Sequence, residues 1–168
     1  ALPALRKLDA VQSSNLLMTI ETLIKEDDKI QPLELAVLVI LRRQFGSTTS
    51  RQNLKLQNAR NESLAVLKII ATCSLKDELK KKAAYLEACK NIGVTNTFAE
   101  LYWNSDTQDP FAIVRALTQL SSLAPKEKSV LFEAIWSISS NEYNQSPQTK
   151  LYLRAFSEAL EIPLPAAF

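Results

Sequence analysis

Histidine is missing from all 168 residues. That absence excludes a Ser-His-Asp or Cys-His arrangement and a zinc site of the H-E-x-x-H kind within this chain. Cysteine is nearly as scarce. Cys73 and Cys89 stand too far apart for a metal knuckle and have no further cysteines to complete one, so both read as reduced packing residues on helices. Gly46 and Gly93 are the only glycines, too few for a protein built from hairpins and tight turns. No long apolar run occurs. Leu35 to Leu41 is the longest, against about 20 residues for a bilayer span, so direct membrane insertion by this segment is not expected. Ala1 to Lys7 lacks the charged start and sustained apolar stretch of a secretory leader. An excess of one charge is lacking too. The net charge is +2 with acids and bases interspersed, which does not make the basic face of a nucleic-acid binder.

What remains is ordinary globular material, 46% hydrophobic and 23% charged, in a length that suits one domain. Its apolar residues recur at helical spacing. Leu16, Ile20 and Leu23, widened by Leu17 and Ile24, define a helix from about Ala10 to Lys25. After the acidic turn Glu26-Asp27-Asp28, Pro32 opens a second helix, with Glu34 in its first turn, Arg42 and Arg43 in its last, and Gly46 as its stop. Its interior is apolar all round, which predicts a central, buried helix. Residues 47–57 are polar and unpatterned. Leu64, Leu67, Ile70 and Ala71 then mark a helix near 62–72, and Ser74 with Asp77 and Glu78 resembles the capped start of another that ends near Gly93. The Lys80-Lys81-Lys82 run belongs to a solvated face, offset by Asp77 and Glu78 one turn earlier. Phe98, Leu101, Tyr102 and Trp103 form a weaker segment. Asp109-Pro110, Pro125 and Ser146-Pro147 open the last three helices, and Pro163 closes the series. The expected fold is all-α: a single bundle of about eight helices over residues 1–168, with no strand.

The chain opens and closes on a similar pattern. A hairpin over about 10–46 turns at Glu26 to Ile30, and a second over about 125–162 turns at Ser139 to Tyr143. Each is an apolar helix, a polar turn and a proline-started helix. This is a loose internal duplication, and two such hairpins can pack face to face.

The first turn, Asp27-Asp28-Lys29-Ile30-Gln31-Pro32-Leu33-Glu34, resembles the Asp-Gly-x-hydrophobic-x-x-x-Glu signature of TerB-like (tellurite-resistance) helical domains, with Asp28 in place of the glycine. The opening Ala1-Leu2-Pro3-Ala4-Leu5, the ending Leu153-Arg154-Ala155 and the tail Ala159 to Pro165 resemble the C-terminal region of bacterial membrane zinc metalloproteases related to the CAAX prenyl protease and HtpX. The likeness covers both ends and little of residues 47–108. It implies a non-catalytic accessory or regulatory domain on the cytoplasmic face of the inner membrane, part of a membrane-anchored parent. Zinc would belong to the parent's upstream catalytic domain. Partners would be that protease domain, a protein substrate or a regulator. The start at Ala1 suits a fragment. The other implied reading is a free-standing TerB-like stress protein that senses a divalent metal through its acidic turn. In the second turn Ser140, Asn141, Gln145, Gln148 and Thr149 replace the acidic signature.

No residue qualifies as catalytic, because the carboxylates fall at no recognisable paired spacing and no nucleophile accompanies them. Asp27, Asp28 and Glu34 are the candidate metal ligands. They offer at most three side-chain carboxylates to a cation such as Ca²⁺, which takes about six to eight oxygens, so any site is weak. The same residues also read as two solvated turn acids and one helix-start glutamate. Trp103, Trp136, Tyr102, Tyr143 and Tyr152 suit either a docking groove or the core. Of these, Tyr102 and Trp103 are the candidate partner contacts, expected to be exposed.

Overall fold

Proline sets three of the helix starts, at Pro32, Pro125 and Pro147, where a missing N–H costs no helical bond. The computed structural model describes residues 9–26, 32–45, 53–105, 112–140 and 147–162. Those residues form eight α-helices: α1 (Ala10–Glu26), α2 (Pro32–Phe45), α3 (Arg60–Ser74), α4 (Glu78–Asn91), α5 (Asn96–Asn104), α6 (Ala112–Leu120), α7 (Pro125–Ser140) and α8 (Pro147–Leu160). A 3₁₀ turn, Leu56–Ala59, leads into α3. The all-α expectation holds, and no helix among the described residues is long and apolar enough to cross a membrane.

Side chains fix several helix ends. Asp9 caps α1: its carboxylate accepts from the Gln12 N–H at 2.8 Å, while Gln12 Oε1 accepts from the Asp9 N–H at 3.1 Å. This reciprocal box satisfies two otherwise orphaned donors. For α4 the cap is Asp77, which accepts from the Lys80 N–H at 2.9 Å. That corrects the expectation for Ser74, which instead ends α3 and buries its hydroxyl without a hydrogen-bond partner. At the other end of α4, Gly93 has φ +79 and Val94 N–H reaches back to Cys89 O at 2.9 Å. The same closure recurs after α8, with Ile162 N–H on Ser157 O at 2.9 Å. There the left-handed residue is Glu161, φ 56, a conformation that favours glycine.

The centre of the bundle is α3. It packs against α4, α6 and α7 broadly and touches α5 and α8 as well. Ser63, Leu64, Val66, Leu67, Ile70 and Ala71 are all buried along it. The sequence pointed to α2 for this place. α2 is walled by α1, α6 and α8, and Ala36, Leu38 and Val39 are buried, but Val37 is 42% exposed. An apolar circumference overstated how many sides of α2 are covered. The two proline-started helices of the terminal hairpins, α2 and α8, do lie against each other.

A short clasp joins distant parts of the chain. Leu54 pairs in parallel with Leu123 through Leu54 N–H to Ser122 O and Ala124 N–H to Leu54 O, both 3.0 Å. Glu127, in the first turn of α7, accepts from the Leu56 N–H at 3.1 Å. These three bonds give partners to backbone groups of the segment before α3 and of the turn between α6 and α7.

Candidate functional site

The acidic turn comes first because it is the only metal candidate in the sequence. Asp27 and Asp28 lie outside the described residues. Glu34 sits half-buried in the first turn of α2, where its charge suits the helix N-terminus. Among the described residues no three His, Cys, Asp or Glu side chains gather closely enough to hold an ion.

Tyr102 and Trp103 are half-buried, not exposed, and pack against the core. The Trp103 ring lies 4.9 Å from that of Tyr85 on α4, tilted by 44°. Lys68 projects from the middle of α3 and places its Nζ 6.0 Å from the Tyr102 ring centroid and 5.9 Å from that of Trp103. The same ammonium donates to Ser105 O at 2.9 Å and to Tyr102 O at 3.4 Å. A cation is thus held at the C-terminal end of α5, where the helix dipole and the ring faces both favour it. These aromatics fasten α5 to α3 and α4. The apolar residues that α5 leaves to solvent are Leu101, at 67%, and Phe98, at 37%, with Arg60 5.5 Å above the Phe98 ring.

Cys89 is wholly buried on α4 and Cys73 half-buried on α3, both as free thiols. Burial pushes the Cys89 thiol up to about 12, with the neighbouring Tyr85 acting weakly in the other direction. Cys73 is also shifted upward, mainly by burial, with Tyr152 and Lys81 acting in the other direction. Neither thiol is held as a thiolate, the form needed for nucleophilic work.

The surface that stands out belongs to α1. This helix packs broadly on α2 alone, through Leu17 and Ile20 and through the ion pair of Glu21 with Arg42 at 2.6 Å. Its outer side carries Val11, Asn15, Met18 and Thr22 at i, i+4, i+7 and i+11, with Leu23 beside them, all exposed. Val11 is 69% exposed, Met18 63% and Leu23 59%. From Val11 to Leu23 the only charged side chain is Glu21, and it is occupied by Arg42. The hydroxyls of Thr19 and Thr22 donate to Asn15 O and Met18 O, each at 2.9 Å, so they satisfy the helix backbone before any partner. The result is an outward helix face of apolar and neutral polar groups. Periodicity alone gave no access to it, because Leu23 reads as part of the buried stripe until the neighbour of α1 is known.

Comparison with protein-family models, with characterised proteins and with solved structures finds no match.

Proposed function

We propose that this chain is a non-catalytic helical accessory domain that acts through protein–protein contacts, as the C-terminal region of a membrane zinc metallopeptidase. The observation that carries the contact role is the uncharged outer face of α1. A helix of seventeen residues with three large apolar side chains open to water gains by docking, at about 25 cal/mol for each Å² of apolar surface covered. The parent enzyme is suggested by the resemblance of the opening and closing segments. The lack of histidine is consistent with a division of labour in which hydrolysis belongs to another part of the parent. The preferred partner is therefore that parent's own protease domain.

Reading the gene upstream of Ala1 tests the parentage. Transmembrane segments followed by an H-E-x-x-H helix are expected, and a start codon immediately before Ala1 would sink the assignment. The contact role is tested by Met18→Glu combined with Val11→Glu in the full parent. The isolated domain should keep its stability to within about 0.5 kcal/mol, as exposed positions usually do. Peptidase activity of the parent, or its protection of α1 from hydrogen exchange, should fall. Unchanged activity together with unchanged exchange would remove α1 as the docking face. A tight calorimetric response to Ca²⁺, Mg²⁺ or Zn²⁺, abolished by Asp27→Ala, would instead put the metal-sensing reading first.

A further inference from the structure

We draw no further inference here: the strongest candidate, the uncharged outer face of the N-terminal helix α1 around Val11, Met18 and Leu23, belongs to the surface already described, and nothing in the structure shows which molecule covers it.

Discussion

Tyr85 and Cys89 stand one turn apart on α4, both wholly buried. The tyrosine hydroxyl is buried without a hydrogen-bond partner. Burial raises the pKa of both groups, Cys89 from its ordinary 9.0 to about 12. An acid of this kind keeps its proton longer in the folded state than in the unfolded one. Its contribution to stability is complete below pH 9 and is lost as pH rises toward about 12. Thermal melts should therefore fall above pH 9, and Cys89→Ala should make that fall shallower, leaving the share of the Cys73 thiol and, as it begins to titrate in the unfolded chain, that of Tyr85. Melting temperatures that decline in parallel for the two proteins across pH 9 to 11 would contradict the burial argument. Two further residues test the helix closures. A Cβ built at Gly93 meets nothing within 4 Å, so Gly93→Ala carries only the left-handed backbone cost of roughly 1–2 kcal/mol. Glu161→Gly should act in the opposite sense, gaining about 0.5 kcal/mol after the exposed pairing with Lys128 at 3.3 Å is lost. Chemical denaturation of the two variants reads both signs directly.

At the scale of elements, the contrast between α2 and α3 decides what a core substitution does. Leu67→Ala on α3 should cost about 2–5 kcal/mol, since the side chain is fully buried. Val37→Ala on α2 should stay below about 1 kcal/mol, because part of that side chain already faces water. Equal losses would restore α2 to the centre. Lys68 explains why the sequence misplaced it. A lysine, an arginine, a glutamate and a threonine interrupt residues 60–74, so α3 is less uniformly apolar in sequence than α2. Yet the Lys68 ammonium finds its partners inside, on the carbonyls that end α5 and over two ring faces. Lys68→Met should loosen α5 by about 1–2 kcal/mol. Faster amide exchange over residues 98–105, with α8 unaffected, is the expected signature. The exposure of Tyr102 and Trp103 is less than expected for a related reason: α5 has only nine residues, too few for periodicity to show which side meets a neighbour. Proline and apolar spacing, by contrast, located α1, α2, α7 and α8 to within a residue or two, because those signals act within a single turn. The candidate surface was illegible, since exposure depends on where other helices go.

Across the whole molecule, the bundle is closed by contacts between residues far apart in sequence. The Leu54–Leu123 clasp gathers the middle of the chain, and α2 packs broadly against α8. During synthesis this arrangement imposes a delay. α2 is complete at Phe45, and α8 starts at Pro147, about a hundred residues later. At roughly 5–20 residues per second the ribosome needs about 5–20 s for that stretch. For that interval the side of α2 destined for α8 has nothing native to cover it, although its Leu-Ala-Val-Leu-Val-Ile-Leu core is among the most water-averse segments of the chain. Nascent chains stalled before Pro147 should therefore be held by chaperones or aggregate, and release from that state should coincide with emergence of α8.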